Sequence, residues 1–184
     1  GSPHPTRSHF DAQDFMELAA PGVRTVKAGW LNRYLELSAE KGRKDSDLRA
    51  VALQGLLPRS LRGDYPVLAV PEEQGRETEK VLDLFDDLYR KGEMEETPGP
   101  RAAKRKEDPV LSSGQATIRT LRRYREIQAK AAAEGQEAEY PKGPLGPKLR
   151  GIARAIKSGE RVEVACADWN GWDHHTGEGG EDGQ

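Results

Sequence analysis

Apolar residues recur at helical spacing in the first part of the chain and predict two short helices. Residues 8–20 begin with a capping-box pattern, in which Ser8 is followed three positions later by the acidic Asp11. Residues 29–40 carry apolar side chains at positions i, i+1, i+4 and i+5, so one side of this helix is expected to face the core. These side chains are Trp30, Leu31, Tyr34 and Leu35.

Three later stretches have the same helical period. Residues 77–91 and 113–134 place apolar side chains every three to four positions, and the second stretch has a dense basic face opposite its apolar one. Residues 145–157 form a third predicted helix, which leads through Ser158 and Gly159 into a stretch of different pattern. The apolar side of the second stretch consists of Ile118, Leu121, Tyr124 and Ile127.

Three short stretches have the patterns of β-strands. Residues 49–54 and 66–70 are apolar and are bounded by proline and glycine. Residues 161–167 alternate, with Val162, Val164 and Cys166 on one side of the predicted strand. A helix that leads directly into such a strand favours an α/β fold, with a mostly parallel sheet flanked by helices.

The length predicts one domain over residues 1–184. Residues 93–110 contain three prolines and many charges, so we expect a mobile insertion or lid there. Residues 176–184 are expected to form a flexible glycine-rich tail. The net charge of -2 gives no overall attraction to nucleic acid or to an acidic membrane. No apolar run approaches the roughly 20 residues of a membrane span, and no leader of charged and then apolar residues opens the sequence.

Metal-ligating residue types are concentrated after the last predicted strand. Asp168, Asp173, His174 and His175 lie within eight residues and offer carboxylate oxygen and imidazole nitrogen, which zinc and similar divalent ions prefer. Cys166 is the only cysteine, which excludes an internal disulfide and a zinc site of several cysteines. The alternative is an acidic tail in which these side chains are merely solvated.

A second candidate site lies at the start of the first predicted helix. Free backbone N–H groups at a helix N-terminus favour a phosphate or sulfate, or an activated hydroxyl, beside Ser8 and His9. Arg7 is placed to hold an oxyanion there. The simpler alternative is that Ser8 caps the helix and His9 is an exposed residue of its first turn.

Two basic segments, residues 101–106 and 119–125, contain the residue types that contact phosphates. The second segment lies on one side of an amphipathic helix with acidic residues nearby, which favours a solvated face. We therefore predict no nucleic-acid partner.

Three stretches of the chain form a recognisable set: SPHPTRSHFDAQDFMEL with GWLNRYL, then LRAVALQGLLPRSLRG, then LGPKLRGIARAIKSGERVEVACADWNGWDHH. In this order and with similar spacing they resemble the family called domain of unknown function 1501. The resemblance covers most of the chain and is weakest in residues 93–144. It implies an alkaline-phosphatase-like or sulfatase-like fold, and a bacterial protein that is periplasmic or exported, because many members carry a twin-arginine signal.

The resemblance also implies site residues. The family's G-G-W-D-T-H pattern falls on residues 170–175, with Asn170 in place of a glycine and His174 in place of the threonine, which makes Asp173 and His175 the principal metal ligands. Asp168 and His174, which the pattern does not require, are further candidates by residue type. Its S-H-F element falls on residues 8–10, where Ser8 and His9 would be catalytic and Arg7 would hold the oxyanion. The family's initial Gly-Gly-x-Asp-Gly-like motif and its final Asp-His-Gly motif are not present in this sequence. We therefore expect an internal fragment that lacks both ends, has an incomplete sheet and is inactive alone.

The expected function follows from this resemblance. The intact protein would be a metal-dependent hydrolase of small anionic phosphate or sulfate esters, with zinc or a similar divalent metal. One alternative is a non-catalytic exported protein of the same fold that serves in binding or assembly. Another is that these 184 residues have no separate function.

Overall fold

The computed structural model describes residues 5–23, 25–39, 46–70, 80, 82–88, 109–135 and 138–171. The helices are α1 (His9–Leu18), α2 (Trp30–Leu37), α3 (Pro109–Glu134) and α4 (Leu145–Lys157). Residues 82–88 are also helical, and Arg59–Leu61 forms a 3-10 turn. The strands are β1 (Ala50–Leu53), β2 (Leu68–Ala69) and β3 (Val164–Ala167).

The strands form one parallel sheet in the order β2-β1-β3. Val51 pairs with Leu68 on one side of β1, and Ala52 pairs with Cys166 in register on the other side. All four residues of β1 are buried, as expected for the central strand of a sheet covered on both faces. The predicted α/β fold with a parallel sheet and flanking helices is thereby confirmed.

Alternate residues of β1 point into two separate apolar clusters. Val51 and Leu53 face a cluster built with α3, α4 and Leu82 of the 82–88 segment. Ala50 and Ala52 face a smaller cluster that contains Leu35 of α2 and Leu61 of the 3-10 turn. The sheet is therefore the middle of three layers.

The predicted inward side of α2 is only half correct. Leu35 is fully buried and Leu31 packs partly against the smaller cluster. Trp30 and Tyr34, however, are 45% and 49% exposed. The helix is rotated so that a polar residue, Asn32, also faces inward and is fully buried.

Asn32 is buried because it satisfies the backbone of the β1–β2 connection. Its amide nitrogen donates to the carbonyl oxygens of Leu61 and Tyr65 at 2.9 and 2.8 Å. Its side-chain oxygen accepts from the backbone N–H of Tyr65 at 3.1 Å. One of these backbone groups, the Leu61 carbonyl, is buried and the two of Tyr65 are partly buried, which explains why an amide occupies this position.

Other boundaries differ modestly from the predicted ones. Helix α3 begins at Pro109, so residues 109–110, expected to close the mobile excursion, are the first residues of a helix. Residues 93–108 of the predicted lid and residues 176–184 of the predicted tail lie outside the described residues. Within the predicted helix at 77–91, residues 82–88 are helical, with Leu82 buried but Leu88 53% exposed. Among the described helices none has the length and apolar character required to cross a bilayer.

Candidate functional site

The carboxyl ends of β1 and β3 lie side by side because the two strands are parallel and hydrogen-bonded neighbours. Leu53 and Ala167 are paired at these ends. The segment that begins at Asp168 leaves β3 at this edge, where open parallel sheets commonly bind ligands. The predicted metal-ligating stretch therefore starts at a suitable edge of the sheet.

A buried lysine holds the first residue of this segment. The Lys148 ammonium donates to the Asp168 carboxylate at 2.6 Å and to the Asp168 backbone carbonyl at 3.0 Å. The Lys148 side chain is only 6% exposed, and its hydrogen bond to Asp168 is the main reason why the pKa of that carboxyl is lowered. Asp168 is thus a carboxylate at neutral pH and is bound to a cation supplied by the protein.

The position of Lys148 follows from the run of α4. This helix leads back into β3 through a turn at Ser158, so it runs antiparallel to the strand and its first turns lie beside the strand's carboxyl end. Gly146 allows the chain to pack tightly there, because a Cβ at this position would lie 2.0 Å from the carbonyl oxygen of Pro141. Sequence patterns gave no indication of Lys148, since a buried lysine inside a basic helix resembles its solvated neighbours.

Asp173, His174 and His175 lie outside the described residues, so their predicted role as ligands stays a prediction. Within residues 5–23, 25–39, 46–70, 80, 82–88, 109–135 and 138–171, no group of three or more His, Cys, Asp or Glu side chains is arranged to hold a metal ion. Asp168 is the one predicted ligand in these ranges, and its carboxylate faces the Lys148 ammonium.

Ser8 caps α1, as the capping-box pattern predicts. The Ser8 hydroxyl oxygen accepts from the backbone N–H of Asp11 at 3.3 Å, and the Ser8 backbone N–H donates to the hydroxyl of Thr6 at 3.1 Å. Arg7 and His9 on either side are exposed. The catalytic role of Ser8 and His9 and the oxyanion role of Arg7 stay predictions.

The other end of α1 approaches the sheet. Glu17 accepts from the backbone N–H of Ser60 at 2.9 Å. Burial raises the pKa of the Cys166 thiol on β3, and the nearby negative charge of Glu17 raises it further. Glu17 is nine residues beyond Ser8, about 14 Å along a helix axis. The carboxylate that α1 directs toward β3 is therefore that of Glu17, at the C-terminal end of the helix. Ser8 lies at the N-terminal end.

The basic segment 119–125 is engaged largely in ion pairs. Arg122 donates to Asp83 and Asp86 at 2.8 and 3.0 Å. Arg123 donates to Glu160 at 2.9 Å and to Glu126 at 3.4 Å. These contacts fix α3 to the 82–88 segment and to the loop before β3. The prediction for this segment was a solvated face, and two of its arginines form ion pairs instead.

Basic side chains also meet in a groove between α3 and α4, which the sequence reading missed. Arg150, Arg154 and Lys157 line it from α4, and Arg123 and Lys130 line it from α3. The i, i+4, i+7 spacing on α4 and the i, i+7 spacing on α3 place each set on one side of its helix. This spacing is visible in the sequence and indicates a basic side on each helix. It does not reveal that the basic sides of α3 and α4 face each other.

Comparison of the chain with protein-family models, with curated proteins and with solved structures finds no match.

Proposed function

We infer that this chain contributes to a metal-dependent hydrolase of small anionic phosphate or sulfate esters, of the kind implied by its resemblance to domain of unknown function 1501. The observation that supports this proposal most directly is the origin of the segment bearing Asp173 and His175. That segment leaves the carboxyl end of β3 beside β1, and Lys148 fixes its first residue, Asp168.

In this proposal Asp173 and His175 hold a divalent ion such as zinc, with His174 and Asp168 as further candidate ligands. A bound ion of this kind polarises the ester and stabilises the leaving oxyanion. Lys148 would orient the segment by retaining the backbone at Asp168. By the resemblance, the protein would act in the periplasm or be exported.

Ser8, His9 and Arg7 enter the proposal as the residues that meet the ester. Capping uses one acceptor position of the Ser8 hydroxyl, which retains its own proton to donate. Arg7 is an exposed guanidinium beside it, suitable for two hydrogen bonds to a phosphate or sulfate.

A matched pair of variants tests metal binding. We expect isothermal calorimetry with zinc to show stoichiometric binding that Asp173→Ala/His175→Ala weakens at least tenfold, because two ligands are lost. The control is His4→Ala/Asp182→Ala, which removes the same two residue types at positions outside the candidate ligand set and should bind within threefold of the parent. Equal loss in both variants would indicate diffuse attraction to the acidic tail and would refute the assignment of Asp173 and His175.

One observation favours the alternative of a non-catalytic binding or assembly protein with the same fold. The carboxylate of Asp168 is engaged by Lys148, so this predicted ligand already has a structural partner. Because this chain is expected to be inactive alone, the intact metal-loaded protein that contains it should be assayed against aryl phosphates and aryl sulfates. Turnover that disappears in Asp173→Ala supports the hydrolase, whereas stoichiometric metal binding without turnover supports the binding protein.

A further inference from the structure

The groove between α3 and α4 carries an excess of positive charge. It has a volume of about 440 Å³, and its lining includes five basic side chains against the two carboxylates of Glu126 and Glu134. The basic side chains come from both walls, so they converge on the same space from two helices. They are Arg123, Lys130, Arg150, Arg154 and Lys157.

The structure holds some of these cations in place. The Arg150 guanidinium lies over the ring of Tyr140, 5.5 Å from its centroid. Arg154 donates to the side-chain oxygen of Gln128 at 3.3 Å. Lys130 and Lys157 are exposed, one on each wall. The groove thus combines oriented guanidinium groups with lysines that are free to adjust to a ligand.

Helix stability accounts for only part of this charge. Arg154 and Lys157 lie in the last turn of α4, where cations offset the helix dipole. Arg123 is paired with Glu160 and Glu126. Neither explanation applies to Lys130, which lies in the interior of α3 and about two turns beyond Arg123.

We propose that this groove binds a small, multiply charged anion of the pyrophosphate or phosphate-ester class. Its volume is in the range of small-molecule pockets. Planar guanidinium groups bind phosphate oxygens in pairs, and lysines supply adjustable point charges. Arg150, the groove residue nearest to Lys148 in the sequence, lies two residues further along α4 and about 200° around the helix axis, so the groove lies on a different side of the helix from Lys148 and Asp168. The proposal is therefore independent of the metal site proposed above.

Calorimetric titration of the whole chain with inorganic pyrophosphate, in metal-free buffer at moderate salt, tests it. We expect saturable binding that Lys130→Gln/Lys157→Gln weakens at least tenfold, because both exposed cations of the groove are lost. The control Lys27→Gln/Lys80→Gln removes the same charge from exposed lysines elsewhere and should change the affinity less than twofold. Far-ultraviolet circular dichroism of both variants checks that the fold is unchanged.

Three outcomes would overturn the proposal. The first is the absence of saturable pyrophosphate binding by the parent chain. The second is equal weakening in the two double variants, which would mean that only overall charge matters. The third is displacement of pyrophosphate by a single-stranded oligonucleotide at lower phosphate concentration, which would assign the groove to a nucleic-acid backbone instead.

Discussion

At the scale of single residues, buried cations fix the two ends of the sheet. Arg49, just before β1, is 3% exposed and donates to the Leu35 carbonyl at 3.0 Å and to Glu163 at 2.9 Å. Its bond with Glu163 is the main cause of its raised pKa. Lys148 has the equivalent role at the carboxyl end, through Asp168. Each cation joins a strand to a helix and satisfies backbone carbonyls that apolar packing cannot satisfy.

A third polar junction, at Glu160, predicts a pH-dependent stability. Its carboxylate accepts from the Ser46 hydroxyl at 2.7 Å and from Arg123 at 2.9 Å, and these bonds lower its pKa, Ser46 having the larger effect. A lowered folded pKa means stabilisation that is present above the unfolded value, about 4.3 for glutamate, and lost as pH falls through the folded value. Glu160→Gln should therefore cost about 1 kcal/mol at pH 7 and progressively less below pH 4.

Urea denaturation of the parent and Glu160→Gln between pH 7 and pH 3 measures this difference. Glu139→Gln is the matched control, since Glu139 is exposed, and its free energy of unfolding should follow that of the parent throughout. A gap of constant size for Glu160→Gln would show that the carboxylate charge has no part in this junction.

At the scale of elements, the sequence pattern predicted helix and strand bounds best where a single local signal, such as apolar periodicity, determines the element. The bounds of α4 at Leu145 and Lys157 were predicted correctly, because an apolar period and a terminal Ser158-Gly159 coincide there. The four buried residues of β1 were equally evident as an apolar run. The inward side of α2 was half wrong because Asn32, although polar, is buried by bonds to a loop 29 and 33 residues away. No local pattern encodes such a partner.

Gly29, the N-cap residue of α2, gives a prediction for this element. It distinguishes a glycine required by close packing from a glycine required by its backbone angles. Gly29 has φ -65° and ψ 154°, which any residue adopts, but a Cβ there would lie 2.1 Å from the carbonyl oxygens of Arg59 and Ser60. Its backbone N–H also donates to the Arg62 carbonyl at 2.8 Å. We expect Gly29→Ala to reduce the free energy of unfolding by about 3 kcal/mol, because the 3-10 turn has to move away.

Thermal and urea denaturation against Gly55→Ala measures this effect. A Cβ on Gly55 would have nothing within 4 Å, so the control should change stability by less than about 0.5 kcal/mol. Similar losses in the two variants would mean that glycine is needed for chain flexibility and not for close approach.

At the scale of the whole molecule, both candidate sites depend on contacts between separate elements. These contacts are between α4 and the segment after β3, and between α3 and α4. The sequence indicated which segment leaves β3, because alternation in residues 161–167 defined the strand. It could not indicate that Lys148 holds that segment or that basic sides of α3 and α4 face each other, because both contacts arise between separate elements. The effect of the Glu17 charge on the pKa of Cys166 is a further example, since the two residues lie far apart in the sequence.

The packing of α4 on the sheet depends on one small residue at the centre of the layers. A Cβ on Gly151 would lie 2.6 Å from the Tyr124 hydroxyl oxygen of α3 and 2.9 Å from a methyl carbon of Leu53 in β1. Tyr124 is 4% exposed, and burial raises its pKa to about 12. In an unconstrained helix, alanine in place of glycine stabilises by about 1 kcal/mol. Here we expect Gly151→Ala to destabilise by about 2 kcal/mol, because α4 has to move away from both α3 and the sheet.

A double-mutant cycle tests whether the Tyr124 hydroxyl is the obstacle. Tyr124→Phe removes that oxygen and keeps the ring, so Gly151→Ala should cost at least 1 kcal/mol less in the Tyr124→Phe background than in the parent, as measured by urea denaturation. The methyl carbon of Leu53 ends a flexible side chain and can move aside, whereas a phenol ring held between two helices cannot. If the cost of Gly151→Ala is the same in both backgrounds, the spacing between α4 and the sheet is set by the Leu53 side and not by α3.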